Sequence, residues 1–360
     1  MDPWWARLLV AFGALLMVLS GVMLATANAL ISRYDKSVPQ RDLLGSAGDA
    51  QGKKGAKLDG PLNILLVGLD ARPGESMAQS RADTVIILHV TAAHDRAYLV
   101  SVPRDLMVQA KSFKKSRYGG GRAKMTETFF FGAQNGAGVA GGMELLALSI
   151  KQRLGITMNA AAVINFDSFS KVIDALGGVD MCFDERVVSK HLRIGPDGKV
   201  RNVENQDNPT GAIIVYPKGQ CRHLRAWEAL DYSRQRYGLE NGDYDRQRHQ
   251  QQLIKAMVKQ ATSIGVLTNP VKLDRVIRAA GAALVLDTRG VPLADFVFTL
   301  KGIGTNGLVM VRTNAGQVTS ENVDGISFEV LSPASEELFK AVQKDRVEAF
   351  VAAHPDYVVT

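Results

Sequence analysis

Three nearly continuous apolar runs follow one another early in the chain: NILLVGLD (63–70), TVIILHVT (84–91) and AYLVSVP (97–103). Each has the length and the β-branched content of a strand buried in a sheet. Helical patterns follow in ETFFFGAQ and GMELLALSIKQRLG, then a strand in AAAVINF. The helix DSFSKVIDAL comes next and stops at Gly177-Gly178, glycine being the residue that most readily closes a helix. GVDMCF is again strand-like. Further helices are expected around 225–236, 243–265, 269–285 and 292–302, and the strand GLVMVRT and the helix SPASEELFKAVQKD close the pattern. Strands alternating with helices predict an α/β fold, an α-β-α sandwich around a central mixed β-sheet. Nothing after residue 62 reads as a second linker, so 62–360 is expected to be one large domain. At 46% hydrophobic in 360 residues, the chain has the material for a full core.

What precedes this domain is different in kind. From Leu8 to Ile31 no residue is charged, and at about 1.5 Å per residue such a helix crosses a bilayer. Trp4 and Trp5 stand ahead of it, where interfacial aromatics sit. ATANA (25–29) offers the A-x-A spacing of a cleavage site, but the apolar run is longer than an ordinary signal-peptide core. The expectation is an uncleaved transmembrane anchor over 8–31, preceded by a short cytoplasmic tail, 1–7. Basic residues lie on both sides, so charge alone does not orient it. Residues 32–61, rich in Gly, Lys and Asp, read as a flexible linker. The only cysteines, Cys182 and Cys221, have no C-x-x-C and no neighbouring histidine pair, which argues against zinc. They are two buried thiols or one disulfide, and a disulfide agrees with an exported domain.

The stretch NGDYDRQRHQQQLIKAMVKQATSI (241–264) carries the first hint of chemistry. Its second half has an apolar stripe, Leu253, Ile254, Met257, Val258 and Ala261. Followed back by threes and fours, the same face presents Gln250, Arg246 and Asp243. Other charges gather where strands end. Asp70 and Arg72 follow the first strand, Arg81 and Asp83 precede the second, and Arg104 and Asp105 follow the third. Arg234 and Arg236 end one helix just before the next begins. In open α/β sheets ligands collect at strand ends. A buried unpaired charge costs several kcal/mol, so inward arginines need anions, and these arginines outnumber the local aspartates. A structural ion-pair network accounts for some of them. Arginine forks suit phosphate oxygens, and two aspartates among them suit Mg²⁺, with Mn²⁺ as the alternative ion. The net charge of +7 also favours anionic partners. The residues alone therefore point to a metal-assisted site for a phosphate or pyrophosphate.

In order, NILLVGLDAR, SRADTVIILHV, VSVPRD, INFDSFSKVIDALGGVD, ALDYSRQRY and NGDYDRQRHQQQ resemble the successive motifs of the LytR-CpsA-Psr family, over roughly residues 62–315. The last motif resembles actinobacterial members, which often carry a cysteine pair placed like Cys182 and Cys221. The resemblance implies a single-pass cell-membrane protein with an extracytoplasmic catalytic domain. It implies a phosphotransferase that moves a glycan from a polyprenyl-pyrophosphate carrier to peptidoglycan through a phosphodiester. Asp70 and Asp83 match the family's Mg²⁺-binding aspartates. Arg81, Arg104, Arg234, Arg236, Arg246 and Gln250 match its pyrophosphate-binding residues, to which Arg72 and Lys124 are added. Asp243 matches another family acid, and Arg104, Asp105 and Asp243 are the candidates for catalysis, either acid orienting or deprotonating the acceptor hydroxyl. The family also has an apolar tunnel for the prenyl chain.

Some residues depart from the pattern. Thr126 replaces an asparagine in KMTETFFFGAQ, and His249 stands where many members have arginine, an ordinary polar contact being the expectation for it. AKSFKKSRYGGGRAK (110–124) has six basic residues and no acid; it reads as a solvated flexible loop or as a mobile lid. Phe129, Phe130, Phe131, Leu145 and Leu146 either line a lipid cavity or pack a core. Two rival functions share the site: a membrane-anchored polyprenyl-pyrophosphate hydrolase, and a non-catalytic protein that binds lipid-linked glycan, in keeping with the transcriptional-attenuator label some members carry. No helix-turn-helix or basic helix supports a nucleic-acid partner. The chain has no G-x-x-x-x-G-K-[ST], H-E-x-x-H or G-x-S-x-G.

Overall fold

The computed structural model describes residues 40–49, 58–70, 76–203, 210–267, 269–291, 303 and 307–359. The expected anchor and tail, Arg72 and the helix expected at 292–302 lie outside the described residues. Among the described residues no helix is long and apolar enough to cross a membrane.

The three apolar runs form strands β1 (Leu62–Leu69), β2 (Ala82–Val90) and β3 (Ala97–Ser101), joined as an antiparallel meander. A hairpin follows, β4 (Met107–Ala110) and β5 (Gly121–Lys124), then helices α1 (Met125–Ala133) and α2 (Gly138–Leu154). Strand β6 (Ala160–Asn165) leads into α3 (Phe166–Leu176), which ends at Gly177 and Gly178, with φ of 83° and 100°. A smaller β-rich region holds β7 (Val179–Cys182), β8 (Val187–Ile194), β9 (Val200–Asn202), β10 (Ala212–Tyr216) and β11 (Cys221–Leu224). Then come α4 (Ala226–Arg234), α5 (Asp243–Ala261), α6 (Pro270–Ala283), β12 (Leu284–Asp287) and β13 (Leu308–Val311). The hairpin β14 (Ser320–Val323) and β15 (Ile326–Glu329), α7 (Pro333–Gln343), α8 (Val347–Ala353) and β16 (Val358–Val359) complete the described chain.

Among the described residues the main sheet has seven strands, in the order β12-β6-β1-β2-β3-β13-β16. β1 runs parallel to β6 and β3 parallel to β13, and the other neighbours are antiparallel, so the sheet is mixed. Successive residues of a strand point to opposite faces. Leu65, Val67, Val85 and Ile87 pack with Phe129, Leu146 and Ile150 of α1 and α2 and with Leu338 and Phe339 of α7. Ile86 and Leu66 turn the other way, toward Ile254 and Val258 of α5. Helices on both faces explain why these strands read as unbroken apolar runs rather than alternating ones.

Two expectations need correction. In the stretch 32–61, read as a linker, residues 40–49 are packed against the domain. Leu43 and Leu44 are fully buried in the main core, and their amides both donate to Asp287 Oδ2 at 2.9 Å. Two leucines in a polar stretch suffice to dock it. The basic segment 110–124 is the β4–β5 hairpin and its connection, held by Lys115 against Glu144 at 2.5 Å and by Tyr118 stacked on Phe131 at 4.7 Å. Of the two readings open for Phe129, Leu145 and Leu146, core packing is the one the structure bears out. Cys182 and Cys221 face each other across β7 and β11 and form a disulfide.

Candidate functional site

Where β1 ends and β2 begins, the register slips. Gly68 pairs with Thr84 and Leu69 with Ala82, leaving Asp83 as the extra residue of a bulge. Bulges re-aim side chains, and this one directs Asp83 to Arg104, just past β3, whose Nη1 reaches Asp83 Oδ1 at 2.5 Å. Arg246, one turn into α5, donates through Nη2 to the Asp83 carbonyl at 2.9 Å and lies 2.6 Å from Asp243. Asp70, one residue past β1, accepts from Arg234 Nη2 at 2.8 Å at the end of α4. Five separate elements, β1, β2, β3, α4 and α5, thus bring charged residues to one place.

The resulting pocket, about 140 Å³, is lined by Asp70, Asp83, Arg104, His191, Arg234, Arg236, Tyr237 and Arg246. Its outer part widens over Gln79, Ser80, Arg81 and Phe130. Inside it four guanidinium groups face two carboxylates, an excess that favours an anion with more than one charge. Arg104 Nε and Arg246 Nε are buried with no hydrogen-bond partner, and orphaned buried donors are costly unless a ligand satisfies them.

Burial pushes the Asp83 carboxyl up from its ordinary value; Arg104 and Arg246 pull it back, while Asp70 and Asp243 add to the rise. Burial works against the charge on Arg104, yet Asp83, Asp105 and Asp243 hold it more firmly protonated. His191 is pushed down by burial and by Arg234, which favours its neutral form. Each of Asp70 and Asp83 gives Oδ1 to an arginine, and their mutual repulsion is of the kind a cation relieves. Two carboxylates beside room for phosphate oxygens and water fit the donor set of Mg²⁺. A second acidic group, Asp184 and Glu185 with His249, has the proximity of a metal site. Arg248 already contacts both acids, and the His249 ring lies against Tyr232, tilted by 33° with centroids 4.3 Å apart. That cluster clamps α5 to the loop after β7, and none of its three residues lines the arginine pocket.

Beneath the arginines lies an apolar cavity of about 260 Å³ between α5 and the sheet. Leu66, Ile86, Ala162 and Ile164 line it from the strands, and Leu253, Ile254, Met257 and Val258 from α5. The apolar stripe of this helix packs against the core and also forms one wall of this cavity. Thr84, Ser233 and Gln250 are the polar residues of its lining. Each sits beside a residue of the arginine pocket: Thr84 after Asp83, Ser233 before Arg234, Gln250 one turn after Arg246. The charged pocket and the apolar cavity therefore adjoin.

The model of the LytR_cpsA_psr family matches residues 26–344. The chain belongs to that family. Cell wall biosynthesis protein LcpA of Corynebacterium glutamicum is 28% identical over 275 residues, 69% of this chain and 49% of its own length. Polyisoprenyl-teichoic acid–peptidoglycan teichoic acid transferase TagU of Bacillus cereus is 26% identical over 224 residues, 61% of this chain and 60% of its own. The chain thus spans about half to three fifths of these curated relatives' lengths. The crystal structure of gbs0355 from Streptococcus agalactiae superposes with a TM-score of 0.59 at 18% identity, covering 80% of this chain and 88% of that one, a likeness of fold.

Of the residues that the LytR-CpsA-Psr resemblance implied, Asp70, Asp83, Arg81, Arg104, Arg234, Arg236 and Arg246 meet at the charged pocket and its outer part. Gln250 belongs to the joint with the apolar cavity. Lys124, Asp105 and Asp243 are not in the arginine pocket; they line a neighbouring pocket on the other side of Arg104, where Lys124 Nζ is 3.2 Å from Asp105. His191, Tyr237, Thr84 and Ser233 were missed. Ser233 and Tyr237 stand within the quoted motif ALDYSRQRY, whereas His191 arrives from β8, whose sequence carries no signal of its own. Thr126 is buried, and its amide donates to the Arg104 carbonyl at 2.9 Å, which helps place that arginine.

Proposed function

We propose that this protein is a phosphotransferase that takes a glycan from a polyprenyl-pyrophosphate carrier and attaches it to peptidoglycan through a phosphodiester. It would act at the cell membrane, with this domain outside the cytoplasm. One observation carries the reading: a pocket with more arginines than acids adjoins an apolar cavity, with Thr84 and Ser233 of the cavity next in the chain to Asp83 and Arg234 of the pocket. A ligand that satisfies both compartments has a multiply charged head and a long apolar tail. The disulfide is consistent with an oxidising compartment, and the names of the LcpA and TagU relatives point the same way.

In the chemistry this arrangement supports, Arg104, Arg234, Arg236 and Arg246 bind the two phosphates and neutralise charge that builds on their oxygens. An acceptor hydroxyl oxygen forms a new bond to the glycan-linked phosphorus. The bond from that phosphorus to the bridging oxygen breaks, its electron pair leaving with polyprenyl phosphate, and the hydroxyl proton passes to a carboxylate, Asp105 or Asp243. Mg²⁺ held by Asp70 and Asp83 would supply further charge neutralisation. The apolar cavity holds the tail and keeps the diphosphate in register with the arginines.

Incubation with lipid-linked glycan, purified peptidoglycan and Mg²⁺ tests this. Glycan covalently joined to the wall polymer is the expected result. Release of free phosphorylated glycan alone would make the protein a hydrolase, and no turnover with tight binding would make it a binder.

A further inference from the structure

On the far side of Arg104 from the sheet-facing cavity lies a second polar pocket of about 190 Å³. Its walls are the residues after β3, the first turn of α5 and the β14–β15 hairpin. Its charge balance is the reverse of the arginine pocket's. Asp105, Asp243 and Glu329 face Arg104 and Lys124, and those cations are already engaged, Arg104 with Asp83 at 2.5 Å and Lys124 with Asp105 at 3.2 Å. Glu329 is tied down by the Tyr244 hydroxyl at 2.8 Å and the Thr319 amide at 2.6 Å. A phosphate entering here meets more acid than base and is repelled.

What the pocket offers instead is neutral hydrogen bonding. Gln247 is 6% exposed, and while its Nε2 donates to Asp243 at 2.8 Å, its Oε1 has no partner. A buried acceptor left open in this way suits an amide N–H or a hydroxyl. Ser320 and Ser327 add exposed hydroxyls at the rim. Val318, 59% exposed, also lines the pocket, and Ile326, 52% exposed, stands on the same hairpin. Hydroxyl and amide partners inside with apolar shoulders outside match a sugar, whose edges carry polar groups and whose faces carry C–H.

We propose that this pocket seats the acceptor, a neutral N-acetylated sugar of the glycan strand, with the strand laid against Val318 and the β14–β15 hairpin. The proposal rests on the transferase reading and adds to it a place for the nucleophile. Arg104 lines both pockets, so a sugar hydroxyl held here lies next to the bound diphosphate, with Asp105 and Asp243 beside it.

The test measures binding directly, so it does not depend on transfer. The probe is an N-acetylglucosamine oligomer titrated into the full-length protein in detergent, with inorganic diphosphate titrated separately. Ser327→Trp fills the pocket from an exposed position, and Gln247→Leu removes the open acceptor. Saccharide affinity should fall by about tenfold or more in each variant, while diphosphate affinity stays within about twofold, which also reports that the fold is intact. In the transfer assay the same variants should raise the acceptor KM and leave the donor KM unchanged. Saccharide binding that is absent from the wild type, or equal in all three proteins, overturns the acceptor pocket. Saccharide binding without any transfer leaves the pocket standing and sinks the transferase reading instead.

Discussion

Gln250 Oε1 accepts the Thr84 hydroxyl at 2.8 Å, while Gln250 Nε2, in a side chain only 6% exposed, has no partner. The pair sits where the arginine pocket meets the apolar cavity. A half-satisfied buried amide lowers stability, and its retention here fits a donor waiting for a phosphate oxygen. Gln250→Leu removes that donor at similar volume. The same change strips the Thr84 hydroxyl of its acceptor, which offsets the relief of the orphaned amide, so thermal unfolding should shift little, while transfer falls by about tenfold or more. Loss of stability with activity intact would make Gln250 a packing residue.

Arg104 touches Asp83 and lies 3.6 Å from Asp105, joining the diphosphate side to the acceptor side. Arg104→Lys keeps the charge but loses the planar fork. Transfer should fall by about a hundredfold or more, the scale of losing one preorganised donor to developing charge. Circular dichroism should stay unchanged. A lysine variant with near-normal rates would show that charge alone suffices there.

Asp83 gives a pH prediction with a definite sign. Burial raises its pKa above the ordinary 3.8, so the carboxylate form is lost on acidification earlier than for an exposed aspartate. Mg²⁺ affinity should therefore weaken as pH falls into the range where the metal-free carboxyl takes up its proton, a range above that of an exposed aspartate, and transfer at limiting Mg²⁺ should decline with it. Stability runs the other way: because the folded state holds this proton more tightly, the group's contribution to stability diminishes as pH rises from 3.8 through the folded pKa. Asp83→Asn should abolish the Mg²⁺ response and leave unfolding at pH 7 unchanged or more favourable to the folded state. Persisting metal dependence in this variant would contradict the assignment.

Met257 and Val258 line the apolar cavity from α5. Met257→Trp should shorten the space left for a tail. Affinity for a long prenyl diphosphate should fall by about tenfold, the scale of losing two buried methylenes, with little change for a diphosphate bearing a short chain. Isothermal titration across chain lengths checks this. Equal loss for every length would place the defect in the head group instead.

Much of this was legible in the sequence because strand periodicity and motif order carry it. The runs at 63–70, 84–91 and 97–103 are apolar throughout because helices cover both faces of their sheet, and of the charged residues at their ends Asp70, Arg81, Asp83 and Arg104 belong to the pocket and its outer part. The inward Arg246 was readable from helical spacing alone. Other features depend on long-range packing that no local pattern encodes. The stripe Leu253–Ile254–Met257–Val258 looks the same whether it meets a core or a cavity. His191 reaches the pocket from a short β-rich region with weak periodicity. Leu43 and Leu44 dock a segment whose composition is that of a linker, because Asp287, more than two hundred residues on, caps their amides. Lys124 reads as one more cation of the cluster, but the β4–β5 hairpin carries it past Arg104 to Asp105.

The central claim, that charged pocket and apolar cavity hold one ligand between them, is tested most directly by a crystal structure with a polyprenyl diphosphate bound. The account predicts the diphosphate among Arg104, Arg234, Arg236 and Arg246, an oxygen within hydrogen-bonding reach of Gln250 Nε2, and the chain running between α5 and the sheet. A diphosphate bound elsewhere, or a tail lying outside the protein with the cavity empty, would contradict it.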